Sequence, residues 1–403
     1  MPPSLESAIQ VREIKALDEF PGLKDSWEVL GEAHSCSNPY ISYSWISTYL
    51  ETFRRGTPLI LVAEKEGRVC ALGAFEITES RFMGCSFKSV SFAGSGPTGT
   101  GGLSKVAKLF SYDNRLCWSD QMDILWDPEC PEGVTAIVEH LKASELWDVL
   151  DFREMAPDSN FLKLVKESFG GNSFLLEEFV GTKSGYISMP GSIEEFKKGL
   201  SKNLRKNIKL SRNRINKDFG DDTLKVYEDR WEVERLLPRI MELESRSWKG
   251  TAGIGAFSNE KNRQFHAKLT ERFSEKNRFC LFVLEADEKI LSYMYTLIAK
   301  KELHFHNTAI HPDYNHYSPG ISIILKAVEH CIENGMDRII VGRGEDYFIN
   351  ALLTGRQDRV WLKVYKNNFH IRLLHDAEFI WAPAIKKLKS RFQKSDVEGA
   401  GTN

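Results

Sequence analysis

The sequence has no C-x-x-C pair, although it holds seven cysteines: Cys36, Cys70, Cys85, Cys117, Cys130, Cys280 and Cys331. An odd, scattered set suits neither a disulfide framework nor a zinc knuckle, so reduced thiols in a cytoplasmic protein are expected. No signal peptide is expected either, since MPPSLESAIQVREIKALDEF carries acids and no apolar segment, and no apolar run in the sequence is long enough to span a bilayer. Peripheral membrane contact stays open. There is almost no net charge: Lys+Arg 54 against Asp+Glu 56 gives −2. No global field therefore draws the chain to nucleic acid or anionic lipid, and any basic function must be local. The absence of a Walker lysine motif, a Gly-x-Ser-x-Gly elbow and H-E-x-x-H removes the common NTPase, hydrolase and metalloprotease readings.

What is present fits a globular α/β chain. With 403 residues and 42% hydrophobic composition, two domains of ordinary size are expected. Helical spacing predicts helices over 23–34 and 44–55, anchored by Trp27, Leu30, Trp45, Tyr49 and Phe53. Two β-rich runs flank Lys65-Glu66-Gly67-Arg68 as a hairpin, 134–142 reads as a helix and 147–155 as a strand. The Gly/Ser-rich stretch 181–192 is a linker or a strand crossing between domains. Beyond it Ser192 and Glu195 form a capping box opening a long basic helix. A helix over 232–248 follows, with Pro238 near its first turn, then a helix over 259–275. Two strands around Asp287-Glu288, the strand ELHFHNTAI, a turn with an apolar helix over 316–335, and the strand 337–344 complete the series. The polar end is expected to fray.

Three segments carry a family resemblance: MPGSIEEFKKGLSKNLRKNIKLSRNR at 189–214, LESRSWKGTAGIGA at 243–256, and HYSPGISIILKAVEHCIENGMDRIIVGRGEDY at 316–347. In type and spacing they resemble the CelD-like branch of the GNAT acyltransferases and, more distantly, the FemAB-like peptidoglycan transferases. The resemblance implies an α/β (α+β) fold of tandem GNAT-like domains, each a mixed, mostly antiparallel sheet flanked by helices. Expected boundaries are 1–185 for a degenerate acceptor-side domain, 186–385 for the donor-binding domain, and 386–403 for a flexible tail. It further implies acetyl-CoA or another acyl-CoA as donor, and an amine or hydroxyl acceptor on a small molecule, sugar or exopolysaccharide precursor.

Candidate site residues follow. Tyr317, Ser318, Pro319 and Gly320 lie where a strand turns into a helix, and unpaired N–H groups there favour a pyrophosphate. Pro319 presets the helical φ, Gly320 admits close approach, and Ser318 caps or donates. An ordinary helix N-terminus is the plain alternative. Glu244 shares a helical stripe with Leu237, Met241 and Trp248 and is therefore desolvated. It is either a general base or a structural acid bonded to a nearby backbone N–H, while Glu242 falls on a solvated face beside Arg239 and Arg246. Arg343, Asp346 and Tyr347 follow the last strand. Arg343 suits a phosphate or carboxylate, Tyr347 the leaving thiolate, and Asp346 the acceptor, or the run simply ties down the strand end. Phe348 stands where the family's pattern has a lysine, which leaves lysine-assisted charge stabilisation open.

Nine basic residues run from Lys197 to Lys217 without an acid. Arg205 on that run, with Trp248, joins the donor-binding set, although a solvated helix face explains a charge run equally. His304 and His306 alternate on one strand face, as acceptor contacts or packing groups, with His311 and His316 beyond. No metal is expected from them, since three or four converging ligands are needed. The run Gly94-Ser95-Gly96-Pro97-Thr98-Gly99 matches G-x-G-x-x-G, but Pro97 opposes the helix a dinucleotide site requires, and a glycine loop at the interdomain cleft is expected. Two rivals stand beside acyl transfer from CoA. One is a FemAB-like transferase using aminoacyl-tRNA, disfavoured by the lack of an aromatic platform for a single-stranded end. The other is a non-catalytic GNAT-like scaffold.

Overall fold

The structure, a computed structural model, describes residues 8–34, 38–95, 119–221, 223–286, 288–342 and 347–381. Its strands are β1 Gln10–Ile14, β2 Thr57–Lys65, β3 Arg68–Phe82, β4 Cys85–Phe92, β5 Leu125–Trp126, β6 Val149–Met155 and β7 Phe174–Ser188. They continue with β8 Leu224–Tyr227, β9 Phe279–Ala286, β10 Lys289–Ala299, β11 Glu302–Ile310, β12 Arg338–Gly342 and β13 Gly355–Lys366. All join one sheet in the order β1-β2-β3-β4-β6-β13-β7-β12-β11-β10-β9-β8, with β5 added beside β3. Pairing is antiparallel except at β4/β6 and β11/β12. This is the expected mixed, mostly antiparallel sheet flanked by helices.

Local chemistry places most elements where the sequence puts them. Glu66 and Gly67 both take positive φ, 52° and 79°, the conformation of a two-residue hairpin turn between β2 and β3. Ser192 accepts the Glu195 N–H at 3.1 Å, the first half of the capping box, while the Glu195 carboxylate reaches one residue further back, to the Gly191 N–H at 3.0 Å. The basic run is not one helix, however. Helix Ile193–Gly199 stops, and Ser201 caps a second helix, Lys202–Phe219, by accepting the Leu204 N–H at 3.2 Å. A serine competing for backbone donors restarts the helix in a new direction.

The helix expected at 232–248 spans Arg230–Arg246, because Asp229 caps it two residues earlier than expected. Pro238 is therefore in its interior, not its first turn, where it removes one backbone bond. The Gly/Ser-rich stretch resolves as a strand: β7 crosses the expected 185/186 boundary and pairs with β12 through residues 185–188 and with β13 through residues 174–186.

One core links the two halves of the chain. Trp45 and Phe53, from helix Tyr43–Thr52, pack on Phe265 of helix Glu260–Ser274, with ring centroids 5.2 and 5.1 Å apart. Buried aromatics of this size each contribute about 1.5–3 kcal/mol by leaving water. Around them Arg272 bonds Ser47, Thr48 and Glu51, and Lys268 also pairs with Glu51. A second core lies between helix Pro319–Glu333, helix Lys202–Phe219 and the opposite sheet face, with Leu204, Ile215, Ile321 and Ile324 among its buried members.

Candidate active site

The geometry of the site is set by where β11 loses a partner. β11 pairs with β12 only from Glu302↔Arg338 to His304↔Ile340. Beyond that point β11 runs on to Ile310 beside β10 alone, and a 3-10 turn, Pro312–Tyr317, leads into helix Pro319–Glu333. Among the described residues, strand β11 thus offers backbone groups with no strand partner on the β12 side, next to a helix N-terminus. Such a wedge can receive an extended acyl-pantetheine arm by strand-like hydrogen bonding, with its diphosphate at the helix end.

At that helix end Pro319 takes the first helical position, as expected. Ser318 does not cap: its backbone is left-handed, φ 53° and ψ 51°, and its side chain makes no capping bond. Its carbonyl accepts the Ile321 N–H at 3.2 Å and, with the Tyr317 carbonyl, the Ser211 hydroxyl at 3.2 and 2.7 Å. Ser211, Arg214 and Asp218 all come from helix Lys202–Phe219. Arg214 donates to the His316 carbonyl at 2.9 Å, and the Tyr317 hydroxyl donates to Asp218 at 2.7 Å. The turn is therefore braced from the basic helix. A Cβ added at Gly320 would meet only Ile310 Cδ1, at the ordinary contact distance of 3.5 Å, so the protein itself leaves the space over this residue open. Arg205 is exposed on the same basic helix.

Beside the wedge lies a buried polar cluster. The β10/β11 register shifts between Tyr295 and Thr296, so His306 is an extra residue in β11 and His306 and Asn307 both turn toward the face carrying Tyr293 and Tyr295. Glu244, 1% exposed, accepts from the Asn307 amide at 2.7 Å, the Phe257 N–H at 2.8 Å and the Tyr293 hydroxyl at 3.5 Å. The backbone-bonded alternative for this acid is thus realised in the fold. Gly255 is required here, since a Cβ would fall 2.5 Å from the Glu244 carboxylate. Lys249 donates to Asn307 Oδ1 at 3.1 Å and to the Thr308 carbonyl at 2.9 Å. Burial lowers its pKa, and the Glu244 charge opposes that shift. Burial and then Glu244 push the Tyr293 hydroxyl far up, which keeps it a donor.

The two strand histidines form the wall toward the first half. His304 is buried 3.5 Å from Glu302, and its ring stands edge-on to Tyr40 at 6.0 Å. His306 Nδ1 lies 3.5 Å from the Tyr40 hydroxyl, and its ring contacts Trp45, His266 and Tyr295. Burial, followed by the charges of Lys249 and His304, pushes His306 down to about 3, so it is neutral at any working pH. His311 instead caps the 3-10 turn by accepting the Asp313 N–H at 3.3 Å.

Trp248 does not continue the Glu244 stripe. The helix ends at Arg246, and Trp248 opens a short separate helix, Trp248–Thr251, with its side chain 69% exposed. Glu242 is exposed and paired with Arg246 at 2.5 Å, as expected, whereas Arg239 turns to Glu285 at 2.8 Å. Arg343, Asp346 and the Tyr347 side chain lie outside the described residues, as does the glycine loop from Gly96 to Gly99.

Residues 202–348 match the family model for the acetyltransferase (GNAT) domain. The chain has a GNAT acyltransferase fold. Three solved structures support the fold at low identity. FemX has 10% identity and TM-score 0.54, covering 88% of this chain and 96% of its own. The C-terminal domain of a putative lysylphosphatidylglycerol synthetase from Agrobacterium fabrum has 12% identity and TM-score 0.52, covering 90% and 96%. A conserved protein of unknown function from Bacteroides thetaiotaomicron has 10% identity and TM-score 0.53, covering 89% and 100%. No curated protein matches the chain by sequence. In this GNAT-fold chain the matched half and the first half share one sheet, joined through β7 and β13. No described helix is long and apolar enough to cross a membrane.

Proposed function

We propose that this chain transfers an acyl group from an acyl-CoA, acetyl-CoA being the simplest, to an amine or, second, a hydroxyl of a sugar or envelope-polymer precursor. The observation that carries the reading is the parting of β11 from β12 at the foot of helix Pro319–Glu333, with open space over Gly320. In this reading the N–H groups of the helix start hold the diphosphate, and β11 backbone holds the arm. The acceptor amine attacks the thioester carbonyl, the C–S bond breaks, and CoA leaves as the thiol with the proton the amine gives up. No covalent enzyme intermediate is needed, and positioning with charge stabilisation supplies the rate.

Glu244 acts here as a positioning residue. The Asn307 amide, the Phe257 N–H and the Tyr293 hydroxyl all donate to its carboxylate, which thereby fixes Asn307 and the bulge. Tyr40, His304 and His306 line the acceptor side. The reading is tested by thermal shift with acetyl-CoA, longer acyl-CoAs and CoA, together with thiol release in the presence of amine acceptors. Gly320→Asp is expected to keep the fold and abolish the CoA-dependent shift. An undiminished shift in that variant would refute the helix-end donor site.

A second reading, aminoacyl transfer from tRNA, rests on the solvent-facing Lys202, Arg205, Lys206, Lys209 and Arg212 of the basic helix. It predicts steep salt dependence of tRNA binding and deacylation of charged tRNA, with no response to CoA.

A further inference from the structure

Three side chains of different donor type meet on the sheet face under helix Pro319–Glu333, well away from the wedge. Glu228 follows β8, Cys280 is the second residue of β9, and His330 lies near the C-terminal end of the helix. His330 Nε2 is 3.3 Å from a Glu228 carboxylate oxygen and 4.0 Å from Cys280 Sγ, and the three donor atoms all lie within 4.8 Å of one another. It is the one such grouping among the described residues. We propose that Glu228, Cys280 and His330 form a binding site for a borderline divalent cation of the Zn2+ class, with its fourth position open to solvent on the Glu228 side.

The spacing fits. Tetrahedral Zn2+ with ordinary bond lengths sets N···O at about 3.3 Å and S···N at about 3.6 Å. The N···O separation already meets this, S···N needs a closure of about 0.4 Å, and the Glu228 carboxylate, on an exposed side chain, must swing so that its distance to Cys280 Sγ, now within 4.8 Å, closes to about 3.5 Å. A thiolate with an imidazole and a carboxylate selects a borderline metal over Mg2+ or Ca2+, which prefer all-oxygen sites. The donors are also held. Strand pairing fixes Cys280, whose carbonyl accepts from Thr296 at 2.6 Å, and the Phe282 ring stands edge-on to the imidazole at 5.5 Å. The Asn334 amide lies 3.4 Å from His330 Nδ1, and rotated by half a turn it accepts the proton that Nε2 ligation places there, giving up its bond to the His330 carbonyl.

Cation binding displaces the thiol proton, so Cys280–SH and Zn2+ give the zinc thiolate and H+. His330 lies eleven residues from Pro319, about 16 Å along the helix axis. The cation would therefore clasp the edge of the sheet to the far end of the donor-site helix without touching the donor.

The test uses the full chain, stripped with a chelator and titrated with Co2+ as a spectroscopic probe. Expected is one thiolate-to-cobalt charge-transfer band saturating at one Co2+ per chain, displaced by Zn2+, lost in Cys280→Ser and kept in Cys331→Ser. No band in the wild type, or a band that survives Cys280→Ser, would leave the group as an ion pair beside a buried thiol and overturn the proposal. Should Cys280→Ser not fold, Glu228→Gln at an exposed position decides. At least about a tenfold weaker Co2+ affinity supports the site, and unchanged affinity sinks it.

Discussion

Replacing Glu244 by Gln is the sharpest test of the buried cluster. The new amide must put its NH2 either where one carboxylate oxygen receives the Asn307 amide or where the other receives the Phe257 N–H. Both choices face a donor with a donor. Asn307 cannot escape by turning over, because its Oδ1 is held by the Lys249 ammonium. One charge-assisted bond is lost, at about 1.5–3 kcal/mol, and one buried donor is stranded, at about 1–3 kcal/mol. The variant should therefore be less stable by about 3–5 kcal/mol in equilibrium urea unfolding followed by tryptophan fluorescence, with an unchanged slope. Gly255→Ala pushes the same carboxylate from its place, so the double variant should lose clearly less than the two single losses combined. A Glu244→Gln protein within about 0.5 kcal/mol of the parent would refute the hydrogen-bond reasoning.

Other outcomes follow from the same structure. Lys249→Ala should lower kcat/KM for acyl transfer by about 10- to 100-fold, since its ammonium fixes Asn307 and the Thr308 carbonyl; steady-state kinetics with acetyl-CoA checks it. Asp123 is raised by burial from 3.8 to about 7, against partial relief from the Ile124 N–H and Ser159. A raised folded pKa gives stability that is complete below the unfolded value and lost as pH rises to about 7, up to about 4 kcal/mol in all. Asp123→Asn should thus match the parent at acid pH and exceed it above neutrality, as read by melting temperature across that window. Gly181→Ala should destabilise by about 1–3 kcal/mol or more, because its Cβ would lie 2.0 Å from the buried Trp361 indole; urea midpoints report it.

The structure separates what local chemistry writes into a sequence from what tertiary pairing decides. The hairpin at Glu66-Gly67, the helix cap at Ser192 and the apolar helix after Pro319 are legible because each is settled within a few residues. Period-two alternation put His304 and His306 on one face. It could not include Asn307, because the extra residue in β11 appears only once β10 is beside it. Lys249 was missed for a related reason: the stripe that placed Glu244 was extended through Trp248, and the helix stops two residues earlier. Tyr40, Trp45 and His266 come from distant segments, and only the packing of the two halves brings their rings to His306. Nothing in the pattern of 355–366 announces its partners, β6 and β7, which lie about 170–215 residues upstream.

That last strand governs how the chain must be built. β6 is complete at residue 155, yet the strand that seals its open side begins at residue 355. At ribosomal rates of about 5–20 residues per second, the nascent first half waits on the order of ten to forty seconds with an unclosed edge. The same vacancy faces β7 from the other side. A product interrupted between residues 188 and 355 carries two ready templates for intermolecular pairing, so truncation there should be read out first as aggregation or chaperone capture.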